Sequence, residues 1–123
     1  MGKFVVRKTN TGIKFDLKAT NGEVLVHSEV YKSASACNKG IASVKKCCLG
    51  PVEDQTVEGF EKQKHPKFEL YQDKAGEFRF RLKAKNGQIV ASCEEGYKTK
   101  KSAVNGIESV KKNAPEAPVV KQD

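Results

Sequence analysis

Hydrophobic and polar residues alternate from Glu77 to Lys85. Phe78, Phe80, Leu82 and Ala84 fall on one side, and Glu77, Arg79, Arg81, Lys83 and Lys85 on the other. A period of two predicts a strand with one covered face. Ile13, Phe15, Leu17 and Ala19 repeat the pattern earlier in the chain. Asn21-Gly22 and Asn86-Gly87 follow these strands and predict type I′ hairpins, which set Ala19 opposite Val24 and Ala84 opposite Ile89. That register carries Val26 inward after Val24, and Ala91 and Cys93 inward after Ile89. The preceding strands, Lys3 to Lys8 and Lys67 to Gln72, reach the middle ones through polar turns at Thr9 to Gly12 and Asp73 to Gly76.

The period then changes. Cys37, Ile41, Val44 and Cys48 fall at i, i+4, i+7 and i+11, as do Ala103, Ile107, Val110 and Ala114. Each set is the apolar stripe of a helix lying on the inward face of the sheet. Ser33 and Thr99 are the expected N-caps, with Pro51 and Pro115 near the ends. Gly40 and Gly106 sit inside these helices at a cost of about 1 kcal/mol each relative to Ala. Their recurrence predicts close approach of helix backbone to sheet. Val52 to Val57 and Ala117 to Val120 read as short strands after the helices.

Strand, turn and helix signals thus occur twice in the same order. Leu17-Lys18-Ala19-Thr20-Asn21-Gly22 returns as Leu82-Lys83-Ala84-Lys85-Asn86-Gly87, and Gly40-Ile41-Ala42-Ser43-Val44-Lys45-Lys46 as Gly106-Ile107-Glu108-Ser109-Val110-Lys111-Lys112. The chain is read as a duplication, with a first unit at 1–58, a connection at 59–66 and a second unit at 67–123. A lone βββα unit of about 55 residues is marginal and leaves a sheet edge open. Joining the two units in one sheet resolves both problems and predicts a monomer with an internal pseudo-dimer.

Lys67-Phe68, the run Phe78 to Gly87, Tyr97-Lys98 and Gly106 to Pro115 together resemble the bacterial YegP-like family (UPF0339), the domain of unknown function 1508. The resemblance spans nearly the whole chain, more closely in the second copy. It departs at Cys47-Cys48-Leu49-Gly50, where the second copy has Asn113-Ala114-Pro115-Glu116. It implies an α+β fold of two β-β-β-α-β repeats in one continuous antiparallel sheet, with exchanged C-terminal strands and both helices on one face. Val52 to Val57 would then lie beside the second unit and Ala117 to Val120 beside the first. The resemblance carries over no activity.

The 123 residues hold no apolar run of membrane-spanning length, and Met1-Gly2-Lys3 leads straight into alternating chain. The expectation is a soluble, cytoplasmic protein that does not engage membranes. Cys37, Cys47, Cys48 and Cys93 lack the paired spacing of a zinc or redox site and read as small buried hydrophobes. Cys47, off the apolar stripe, is the one expected to be exposed. His27 is placed on the face away from the helices and His65 in the connection. Neither has a neighbour that makes a triad or ligand set, and there is no phosphate-binding glycine loop. No catalytic residue, cofactor or metal is assigned.

The net charge is +8, of which residues 1–63 carry +3 and residues 64–123 carry +5. Arg79, Arg81 and Lys83, with Lys85 beyond them, point outward from one strand and are the candidate nucleic-acid contacts. Tyr71 is the one obvious aromatic on that face, which supports base stacking poorly. The leading expectation is a non-enzymatic structural or protein-interaction module with an unidentified protein partner. The alternative is a nucleic-acid-binding accessory protein using the basic sheet face. An enzymatic reading requires Tyr31, Tyr97 or Cys47 beside an acid in a real pocket.

Overall fold

In the computed structural model, which describes residues 2–93 and 95–122, the alternating segments are strands. The first unit supplies β1 (Lys3–Lys8), β2 (Ile13–Lys18), β3 (Val24–His27), α1 (Ala34–Cys47) and β4 (Val52–Asp54). The second supplies β5 (Lys67–Gln72), β6 (Phe78–Lys83), β7 (Ile89–Ser92), α2 (Lys100–Asn113) and β8 (Val119–Gln122). The helices start where the caps require: the Ser33 hydroxyl accepts from the Ala36 N–H and the Thr99 hydroxyl from the Ser102 N–H, both at 3.1 Å. Despite the altered Cys-Cys-Leu-Gly ending, α1 is 14 residues long, the same length as α2.

The hairpins differ from the expected type. Gly22 and Gly87 both have φ 86°, and no non-glycine residue among those described has positive φ. Asn21 and Asn86 therefore cannot take the first position of a type I′ turn. The loops are three residues long instead. Ala19 and Glu23 close one, with the Gly22 N–H donating to the Ala19 carbonyl at 2.9 Å, and Ala84 and Gln88 close the other in the same way. The register moves accordingly: Lys18 faces Val24 and Lys83 faces Ile89, with an irregularity beside each pair. Leu25 and Val26 together oppose Leu17, and Val90 and Ala91 oppose Leu82, so each returning strand carries a bulge. Val26, Ala91 and Cys93 are buried as expected. Ile89 is turned to solvent and is 44% exposed.

All eight strands form one sheet in the order β4-β5-β6-β7-β3-β2-β1-β8. The last strand of each unit lies on the other unit, β4 against β5 and β8 against β1. Both exchanged strands run parallel to their neighbours, which corrects the expected all-antiparallel sheet to a mixed one. The reason is topological. A chain leaving β4 returns through residues 55–66 to the start of β5, and a crossover of that kind yields parallel pairing.

Where the units meet, β3 and β7 share one paired position, His27 with Ser92. The helices span this seam: α1 contacts β2, β6 and β7, and α2 contacts β6 and β3. Beneath them lies one core in which Phe4, Phe15, Leu17, Phe68, Phe80 and Leu82 meet the helix stripes. Phe15 stacks on Tyr31 and Phe80 on Tyr97, with ring centroids 6.2 and 6.1 Å apart. Each tyrosine hydroxyl lies where a helix glycine has no Cβ. A Cβ on Gly106 would be 2.6 Å from Tyr97 Oη, and one on Gly40 would overlap Tyr31 Oη. The close approach expected at the glycines is thus made by a tyrosine wedged between helix and sheet.

Candidate functional site

The face of the sheet away from the helices is where the polar chemistry collects. Strand pairing sets one residue from every strand in a row across it: Val120, Val5, Asp16, His27, Ser92, Arg81, Glu69 and Glu53. At its β4–β6 end the row is a charge network. Lys67 Nζ donates to Glu53 Oε1 at 2.7 Å and lies 3.4 Å from Glu69 Oε2. Arg81 Nε donates to Glu69 Oε1 at 2.6 Å, and Lys83 Nζ lies 3.3 Å from the same oxygen. Glu53 is 2% exposed and also accepts from the Gln55 amide and the Gln63 N–H. Burial alone would raise its pKa, but these donors and the Lys67 charge hold it down at about 2. Glu69 is lowered in the same way, its desolvation outweighed by Arg81 and Lys83.

Three of the four candidate nucleic-acid contacts are therefore already engaged. Arg79 donates to Asp73 at 2.7 Å, Arg81 and Lys83 share Glu69, and the Arg81 guanidinium lies 4.7 Å from the centre of the Tyr71 ring. Lys85 alone is exposed and without an ion pair among the described residues. Sequence reasoning missed the acids. Glu69 was legible, since Lys67 opposite Lys83 puts it opposite Arg81. Glu53 was not, because its place depends on the exchanged strand.

In the middle of the row Asp16, His27 and Ser92 are side by side, the order of a serine-histidine-aspartate relay, but their bonds go elsewhere. The Arg7 Nε–H donates to Asp16 Oδ2 at 2.9 Å, and Lys14 Nζ lies 3.3 Å from His27 Nδ1. Asp16 Oδ1 is buried without a hydrogen-bond partner among the described residues. The relay is not assembled.

Cys47 is buried at 5% exposure, against the expectation that it reaches solvent, because the end of α1 packs it into the hydrophobic core. Burial pushes the Cys37, Cys48 and Cys93 thiols up, away from thiolate chemistry. Tyr97 lines an open cleft of about 350 Å³ with Glu23 and Glu95. Its hydroxyl, however, is directed under α2 at Gly106, and burial pushes its pKa up. Among the described residues no three of His, Cys, Asp and Glu are grouped to hold a metal ion. No helix among them is long and apolar enough to cross a membrane.

Comparison with known proteins agrees with this architecture. A protein named UPF0339 protein YegP from Yersinia pestis is 37% identical over 114 residues, covering 92% of this chain and 88% of that protein. A UPF0339 protein of Stutzerimonas stutzeri, from the ptx operon 5′ region, is 67% identical over 49 residues, which is 40% of this chain and 43% of that protein's length. The solution NMR structure of yegP from E. coli, described as a protein of unknown function, superposes with a TM-score of 0.80 at 34% identity. It covers 98% of this chain and 92% of that one. The model of the domain of unknown function DUF1508 matches twice, at residues 9–54 and 73–120, so the chain belongs to the DUF1508 family and carries the domain in tandem.

Proposed function

We propose that the protein is a non-enzymatic docking module, a preformed platform that binds a macromolecular partner as a monomer. The observation that carries this is the saturation of the outer sheet face. Its buried acids and most of its cations are bonded to one another, so they brace the sheet rather than wait for a substrate proton. Contact with nucleic acid through Arg79, Arg81, Lys83 and Lys85 is the weaker reading, since it would require breaking ion pairs to Asp73 and Glu69.

The test is affinity capture with the tagged full chain from native lysate, paired with incubation of the purified protein in a metabolite extract. The proposal expects a macromolecule retained in fixed proportion at physiological salt and no change in the extract. Turnover of a metabolite without a retained macromolecule would overturn it.

A further inference from the structure

The positive charge is divided by layer rather than by unit. The two helices hold seven lysines and one glutamate in 28 residues, a net +6 of the chain's +8. Everything else carries +2. Only one helix lysine is ion-paired among the described residues, Lys100 with Asp54. Lys39, Lys45, Lys46, Lys101, Lys111 and Lys112 are not.

Helical periodicity organises these cations. Opposite the buried stripe, Ser35, Lys39, Ala42 and Lys46 form an exposed stripe on α1, and Lys101, Asn105, Glu108 and Lys112 form its equivalent on α2. Lys39 and Lys46 are two turns apart, roughly 10 Å, and Lys101 and Lys112 three turns, roughly 16 Å. Lys45 and Lys111 flank the stripes, each ammonium 5.8 Å from the centre of a phenylalanine ring, Phe4 and Phe68. That contact steadies the two side chains without neutralising them.

Resting on the docking reading above, we infer that this helix face binds the phosphate backbone of double-stranded nucleic acid. The chemistry of the stripes separates this partner from the others. Protein interfaces are built around apolar and aromatic anchors and are depleted in lysine, whereas the exposed helix stripes present lysine, serine, asparagine and alanine with one glutamate. Lysine, serine and asparagine are the side chains that contact phosphate and sugar. Single strands are held by stacking on aromatic rings, and neither helix contains an aromatic residue. Sequence-independent contact to a duplex is what remains.

The test is fluorescence anisotropy with a labelled 20-base-pair duplex, as DNA and as RNA, across a salt series, using the full chain. About four to six phosphate contacts give a log–log salt slope near −4 or steeper. The variant carrying Lys39→Glu, Lys46→Glu, Lys101→Glu and Lys112→Glu is expected to lose at least tenfold in affinity and most of that slope, while Lys85→Glu on the sheet side loses less than twofold. Glu108→Lys is expected to tighten binding, a gain that a damaged fold cannot imitate. Far-ultraviolet circular dichroism checks that each variant is folded.

Binding unchanged by the fourfold variant, or a slope shallower than about −1, overturns the inference. So does equal binding of a labelled polyglutamate peptide at the same salt, which would assign the face to acidic polypeptides. If a lysate partner survives nuclease treatment while the duplexes fail to bind, the nucleic-acid inference falls and the docking reading stands. Failure of both the lysate capture and the duplex binding removes the docking reading itself.

Discussion

Replacing Gly40 with alanine separates helix propensity from packing. In an exposed helix interior the change would stabilise by about 1 kcal/mol. Here the new methyl would overlap Tyr31 Oη and sit 2.7 Å from Tyr31 Cζ and 3.1 Å from Phe15 Cε2. Ordinary carbon–carbon contact is about 3.5–4.0 Å, so the ring would have to withdraw by about 1 Å. It has little freedom to do so. Tyr31 is stacked on Phe15 and its backbone is bridged to Ile13 by two hydrogen bonds, of 2.6 and 2.9 Å. Overpacking of this kind costs about 1–3 kcal/mol, which outweighs the propensity gain. The expected net loss is about 1 kcal/mol, with an upper range near 2.

Urea unfolding followed by circular dichroism measures it, and the midpoint should fall with the slope unchanged. Gly106→Ala should cost less, because its nearest contacts are longer, 2.6 Å to Tyr97 Oη and 3.0 Å to Phe80 Cε2. Adding Tyr31→Phe to Gly40→Ala removes the overlapping oxygen and should recover at least about 0.5 kcal/mol in a double-mutant cycle. A rise in stability for Gly40→Ala would refute the wedge and leave helix propensity in control.

The buried network makes further demands. Lys67→Met leaves the buried Glu53 without its cation, while Glu69 keeps Arg81 and Lys83, so a loss of about 3–5 kcal/mol is expected, read as a fall in melting temperature of about 10 °C or more. Glu53 titrates lower folded than unfolded, so its contribution is fully present above about pH 4.5 and is lost as the pH falls toward about 2. The acid limb of a stability profile should therefore flatten in Glu53→Gln, and an unchanged limb would count against the network. Ile89→Thr should change stability by less than about 0.5 kcal/mol because the bulge turns Ile89 outward. A loss of about 2 kcal/mol would restore the inward register. The native protein should show no fast thiol toward a disulfide reagent, with all four cysteines reacting after denaturation, since each is buried.

Much of the fold was written locally. Period-two alternation, the apolar stripe beginning at Cys37 and again at Ala103, and the caps at Ser33 and Thr99 depend on residues within a few positions of one another, so they can be read along the chain. The duplication was legible for the same reason. The loop at Asn21-Gly22 was less so. Two-residue and three-residue hairpins share that dipeptide, and the choice rested on whether the asparagine or only the glycine takes positive φ. That one residue decided the register, the bulges and the exposure of Ile89.

What joins distant segments belonged to the tertiary structure. Parallel pairing of β4 with β5 follows from the crossover between them, and that of β8 with β1 repeats the same arrangement in the other unit, while periodicity carries no information about a strand's neighbour. The candidate site turned on this. Arg79, Arg81 and Lys83 were correctly placed on the outer face, yet Asp73 and Glu69 neutralise them and Glu53 anchors Lys67 from an exchanged strand. Charge in a sequence is a sum, whereas charge available to a partner is what remains after folding has paired it. Here the sheet cations are mostly paired, whereas six of the seven helix lysines have no ion pair among the described residues, Lys100 being the exception, because the helices lie on the face of the sheet opposite the one where most of the acids collect.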